Sequence, residues 1–198
     1  LVQWFRNTFV PERKTEKDIY DRLTAEMPDH PTGLLVLPYF EMSGSPHFIK
    51  DASGVVIGLK TNTSRGEILK AIMERVTYYF IESVESLRGI GIDTSECVAT
   101  GGGAKSDAWL QIKADIFGIP FVRPRISECG LLGAAILAGV ATSVFSGIQE
   151  GVACFVKRDK VFHPDPANHA YYRGQLIKYN ERSYLMRKYL SPYHREGA

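Results

Sequence analysis

The sequence predicts an α/β layer fold with a partly parallel sheet. Three observations predict it. Short β-prone runs alternate with helix-length periodic segments through the second half of the chain, the pattern of strand–helix–strand units. The run Gly33-Leu34-Leu35-Val36-Leu37-Pro38 is apolar without alternation, as in a strand covered on both faces. The β-prone stretch 95–99 leads through Gly101-Gly102-Gly103 into a helical period at Trp109, Ile112 and Ile116.

The elements follow in chain order. Residues 1–9 carry Trp4, Phe5 and Phe9 on a small apolar face. The chain starts without methionine inside a helical stretch, Val2-Gln3-Trp4-Phe5-Arg6, as a piece of a longer protein does. Residues 11–17 read as a charged linker. Ile19, Leu23 and Met27 at i, i+4 and i+8 predict a short amphipathic helix over 18–27. A turn at 28–33 precedes the strand at 33–38. Residues 39–51 have no period and contain Gly44 and Pro46, so they read as a loop that offers Glu41, Ser43, Ser45 and His47.

Gly54 to Leu59 reads as a second strand. Ser64 and Glu67 match a capping box. The helix they open has Ile68, Ile72, Val76, Phe80, Val84 and Leu87 on one face and stops at Gly89 or Gly91. Ser106 or Asp107 caps the helix after the glycines, which runs to Gly118. Pro120 to Pro124 reads as an edge strand, because proline stands at both ends. Ser127-Glu128 starts a helix with a small-residue stripe at Gly130, Gly133, Ala134, Ala135, Ala138 and Gly139, suited to close packing on the sheet edge beneath the glycines. The Glu128 carboxylate suits the first turn of that helix as a cap. Residues 154–156 read as one more short strand and 164–166 as a turn. Tyr172, Leu176, Tyr179, Met186 and Leu190 mark one face of a long terminal helix.

Composition narrows the function classes. The 198 residues carry a net charge of +2, with 44% hydrophobic and 23% charged residues, which suits a soluble globular chain. That balance gives no reason to expect nucleic acid or an anionic membrane as partner. Cys97, Cys129 and Cys154 form no Cys-x-x-Cys pair and read as small buried hydrophobes with reduced thiols, in a cytoplasmic setting. No signal peptide is legible. The apolar run 131–145 is shorter than the roughly 20 residues of a membrane span and contains Gly133 and Gly139.

The glycine stretch carries the chemistry. A strand that ends in bare glycines before a helix N-terminus offers unhindered amides and a partial positive charge to an anion or nucleotide. It is not a Walker A loop, because Ala104 precedes Lys105 and Ala99 stands where the first glycine belongs. It is not a dinucleotide fingerprint, because Ser106 replaces the third glycine. There is no His-Glu-x-x-His and no Gly-x-Ser-x-Gly, and His163 and His169 flank a proline turn without other ligands in sequence. No metal-binding set is expected.

Three blocks now point one way. Gly102-Gly103-Ala104-Lys105-Ser106, Trp109-x-Gln111-Ile112-x-Ala114-Asp115 and Gly118-x-Pro120 resemble the adenosine loop and following helix of the FGGY carbohydrate kinases. Glu128, then Leu132-Gly133-Ala134-Ala135-x-Leu137-Ala138, resembles the next helix of that family. Gly54-x-Val56-x-Gly58-Leu59 and, after seven intervening residues, Glu67-Ile68-x-x-Ala71-Ile72-Met73-Glu74 are similar to its second signature.

The resemblance implies a ribonuclease H-like, actin-like ATPase lobe, with a mixed sheet flanked by helices. It assigns 1–198 to the C-terminal nucleotide-binding domain of a two-lobed sugar kinase, with 1–30 as a leading helical segment and 31–198 as the lobe. The N-terminal lobe of the same protein, expected to carry the catalytic aspartate, is absent, so no catalytic residue is assigned here and the fragment alone is expected to be inactive. ATP and Mg²⁺ are the implied cofactors, and a sugar or polyol is the substrate. Gly103 matches the glycine that touches the nucleotide and Gly102 is its partner in the turn. Asp107 falls near an asparagine beside the adenine, and Gln3 matches a nucleotide-contacting glutamine. Lys105 reads as an exposed loop lysine. The implied chemistry is in-line transfer of the γ-phosphoryl group to a hydroxyl. The alternative is an actin-like nucleotide-binding or assembly module without phosphotransfer. A homodimer is compatible with either reading.

Overall fold

The computed structural model describes residues 1–11, 18–40 and 53–190, the side chains of 82 and 182–190 excepted. The expected linker from 12 on and the loop from 41 on, with Glu41, Ser43, Ser45 and His47, lie outside the described residues. The described chain forms two compact units, 1–93 with 165–198, and 94–164.

The first unit contains α1 (Val2–Phe9), α2 (Ile19–Ala25), β1 (Leu35–Leu37), β2 (Val55–Ile57), α3 (Arg65–Tyr78), α4 (Ile81–Gly89) and α8 (Pro166–Leu190). β1 and β2 pair antiparallel, with Val36 opposite Val56. All three residues of β1 are buried, as its unbroken apolar run predicts. α3 begins with the expected capping box: the Ser64 hydroxyl accepts from the Glu67 amide at 3.1 Å, and the Glu67 carboxylate accepts from the Ser64 amide at 2.7 Å. Between the two residues of the box, Gly66 lies against the backbone of Glu26, where a Cβ would collide.

The expected long helix is two helices. α3 ends at Tyr78 and α4 starts at Ile81. The Thr77 hydroxyl donates back to the Met73 carbonyl at 2.8 Å, a bond that bends helices, and the β-branched and aromatic run Thr77-Tyr78-Tyr79-Phe80 propagates a helix poorly. α3 also buries a charged pair. Glu74 accepts from the Thr32 amide at 3.0 Å, from the Thr32 hydroxyl and from the Tyr172 hydroxyl at 2.9 Å. Arg75 donates twice to the Leu34 carbonyl, at 3.1 and 2.7 Å, and its guanidinium lies 4.8 Å from the centre of the Tyr78 ring. Burial pushes the Glu74 carboxyl above its ordinary pKa, against the pull of the Thr32 donors and Arg75. At α8, Asp165 accepts from the Asn168 amide at 2.8 Å, and Pro166 occupies the first helical position.

The second unit contains β3 (Cys97–Val98), a 3-10 turn (Gly102–Lys105), α5 (Asp107–Phe117), β4 (Phe121–Pro124), α6 (Cys129–Ala141), α7 (Ile148–Phe155) and β5 (Arg158–Phe162). Its sheet is mixed, in the order β3-β4-β5: β3 and β4 are parallel, β4 and β5 antiparallel. α5 covers it through Leu110 and Ala114, which meet Phe121 and Phe162.

Four expectations are corrected here. β4 is the central strand, not an edge. Its prolines do not break the ladder, because Pro120 needs only its carbonyl, which accepts from the Cys97 amide at 2.9 Å, and Pro124 sits at a register shift opposite Arg158. Residues 154–155 end a helix instead of forming a strand, for Ile148, Val152 and Phe155 recur at helical spacing. The principal neighbour of α6 is α7 rather than the sheet edge: Gly151 leaves room for Ile136, and Gly139 for the ring of Phe145. Glu128 stands at the N-cap of α6 but makes no capping bond. No described helix is long and apolar enough to cross a membrane.

Candidate functional site

The site grows out of the end of β3. Ala99 still donates to the Val122 carbonyl at 2.9 Å, so the sheet holds the chain up to the glycines. Gly101 then takes φ +79° and ψ −168°, a region open essentially to glycine alone. Its carbonyl accepts from the Ala104 amide at 3.1 Å and closes the 3-10 turn. Gly101 and Gly102 are exposed, and nothing lies within 4 Å of a Cβ placed on either. Gly103 is bare for another reason: a Cβ there would stand 3.1 Å from the ring of Trp109. That ring also carries the Lys113 ammonium, 4.7 Å from a ring centre, and burial holds the Lys113 pKa below its ordinary value.

Ser106, not Asp107, caps α5, accepting from the Trp109 amide at 3.3 Å. Ser106→Ala therefore costs about 1 kcal/mol, read as a lower urea midpoint with unchanged slope.

Beside the loop opens a cavity of 310 Å³, at the lower end of the range for small-molecule sites. Its wall is formed by Ala99, Gly101, Ala104 and Lys105 of the loop segment together with Arg123, Pro124, Arg125, Ser127 and Asp159. It sits beyond the carboxyl ends of the parallel strands β3 and β4, where open α/β sheets take ligands.

A charge network braces this wall. Arg123 bridges Asp107 at 2.6 Å and Asp159 at 2.9 Å, and Lys160 reaches the other oxygen of Asp107 at 2.6 Å. Lys160 and Arg123 together hold the Asp107 carboxyl below the usual carboxylate range.

Of the residues singled out by sequence, Gly102 and Gly103 are together in the loop. Asp107 is one turn on, with both oxygens engaged by cations. Gln3 lies exposed in the first turn of α1, in the other unit. Sequence reasoning missed Arg123, Arg125, Asp159 and Lys160, which are brought to the loop by pairing of β4 with β5. The only sequence signal was the Arg123-Pro124-Arg125 triplet at a strand end. Among the described residues, no three His, Cys, Asp or Glu side chains come together as a metal site.

Comparison with known proteins agrees with this geometry. Residues 1–142 match the FGGY family of carbohydrate kinases, C-terminal domain. The chain is 32% identical over 190 residues to a xylulose kinase of Staphylococcus epidermidis, covering 96% of this chain and 38% of the relative. It is 30% identical over 191 residues to a glycerol kinase of Deinococcus radiodurans, covering 96% and 35%. Among solved structures, ligand-bound xylulose kinase from Lactobacillus acidophilus superposes with a TM-score of 0.80 at 26% identity, over 100% of this chain and 39% of that one. Gluconate kinase from the same organism gives 0.79 at 26% identity with the same coverage. The chain thus spans well under half the length of the relatives it matches.

Proposed function

The chain belongs to the FGGY family of carbohydrate kinases, as its C-terminal domain, and from that premise we propose that it holds the nucleotide in a cytoplasmic, two-lobed kinase that phosphorylates a sugar or polyol. In this reading it is one actin-like, ribonuclease H-type lobe. The N-terminal lobe of the same protein carries the base that takes the proton from the acceptor hydroxyl. The relatives named for xylulose, gluconate and glycerol support this acceptor class.

The observation that carries the reading is the open loop. Gly101 and Gly102 present bare main chain beside a cavity at the mouth of the parallel strands. Amides there and at Gly103 hold the nucleotide, and the α5 N-terminus adds a favourable partial charge. Asp107 serves by fixing Arg123 and Lys160 through its two oxygens. Gln3, exposed in the first turn of α1, is proposed as a further nucleotide contact. Such a lobe works by positioning, which supplies much of the acceleration in phosphoryl transfer.

Mg²⁺ finds no protein cage among the described residues, and Asp159, the carboxylate of the cavity, is bound to Arg123. This ion commonly rides on phosphate oxygens and water, and no step here depends on a protein-held metal.

Calorimetric titration with ATP and Mg²⁺ tests the reading. The chain should bind ATP and, mixed with ATP and xylulose, gluconate or glycerol, transfer no phosphoryl group. Absence of binding heat contradicts the nucleotide role, and transfer by the chain alone contradicts the two-lobe division.

A further inference from the structure

We infer that the cavity beside the glycine loop is a polyphosphate site, in which Lys105 and Arg125 grip the phosphate chain of the nucleotide rather than its base. The inference rests on the nucleotide reading above and deepens it. Its basis is the charge arithmetic of the cavity wall.

Three cations line the cavity, Lys105, Arg123 and Arg125, against one carboxylate, Asp159, which leaves an excess of two positive charges. Arg123 is spent: Asp107 and Asp159 bracket it, and Lys160 balances the second charge of that pair. Glu128, which the Ser127 hydroxyl reaches at 3.5 Å, does not line the cavity. The excess therefore belongs to Lys105 and Arg125. Both are exposed, and neither side chain has a hydrogen bond or ion pair among the described residues.

Their backbones are nevertheless fixed. Lys105 closes the 3-10 turn just before the Ser106 cap, and the Arg125 amide donates to the Lys157 carbonyl at 2.9 Å. Two unspent cations lining one cavity, with the bare amides of Gly101 and Gly102 beside it, suit an extended anion with several oxygens. They do not suit a neutral purine, for the wall carries no aromatic ring.

The test uses tripolyphosphate, ATP and adenosine as separate titrants against the chain and its Lys105→Ala/Arg125→Ala double variant. Neither side chain has a described partner, so the variant should keep its thermal midpoint. Each lost charged contact is expected to weaken tripolyphosphate and ATP binding about 10- to 100-fold, with adenosine unchanged and Lys105→Arg close to the parent chain. Equal tripolyphosphate affinity for parent and double variant overturns the inference, as does an equal loss for ATP and adenosine. If tripolyphosphate binds through Lys105 and Arg125 while ATP gives no heat, the polyphosphate site stands and the nucleotide reading falls.

Discussion

Replacing Glu74 by alanine lowers the stability of the unit formed by 1–93 and 165–198 by about 3–5 kcal/mol. Glu74 is fully buried, and it gathers three donors from separate parts of the chain: the amide and hydroxyl of Thr32 before β1, and the hydroxyl of Tyr172 on α8. Alanine leaves those donors facing a void, and it leaves Arg75 without the neighbouring negative charge. Urea unfolding gives the magnitude, with exchange of the Thr32 amide as local readout.

Glu74→Gln separates hydrogen bonding from charge. A glutamine carbonyl oxygen serves the Thr32 amide and Tyr172, while its amide donates to the Thr32 hydroxyl. The pH dependence carries a sign. The folded pKa is raised by burial, so the native state binds the proton more tightly than the unfolded chain. The resulting stability is complete below the ordinary pKa of 4.5 and is lost as pH rises through the folded value. Stability measured from pH 4 upward should therefore fall more in the parent chain than in Glu74→Gln. Parallel profiles contradict the assignment.

Gly102→Val weakens ATP binding by about tenfold or more, without lowering the unfolding midpoint. Gly102 is not among the positive-φ glycines, and a Cβ there meets nothing within 4 Å. Valine is thus tolerated by the fold and stands where the ligand would approach the main chain. Its neighbours make poorer probes. Gly101 has φ +79°, so any side chain strains the turn, and a side chain at Gly103 pushes into Trp109. A loss of binding at Gly102 reports blocked access; the same loss at the other two mixes access with refolding of the loop.

How much was legible in the sequence depends on the range of the forces involved. Local signals were readable: the Ser64–Glu67 box, the buried run of β1 and the strand–glycine–helix order at 97–117 all appear where their residues predict. Misreadings came where tertiary pairing decides. Pro120 and Pro124 suggested an edge, yet β5 completes a ladder on the far side of β4 through positions that proline does not spoil. The stripe on α6 announced close packing but not its partner, and α7 supplies one through Ile136 against Gly151. The site shows the same division. Glycines announce a loop through their own backbone freedom, whereas Arg123 and Asp159 are 36 positions apart and meet only through the β4–β5 register.

The central claim is that the bare amides of 101–103 face the nucleotide. Amide chemical shifts of the ¹⁵N-labelled chain, followed during titration with ATP and Mg²⁺, test it most directly. The largest changes should fall on Gly101 to Lys105 and on Arg125, and saturate with the calorimetric affinity. Saturating changes elsewhere, with those amides unmoved, contradict it.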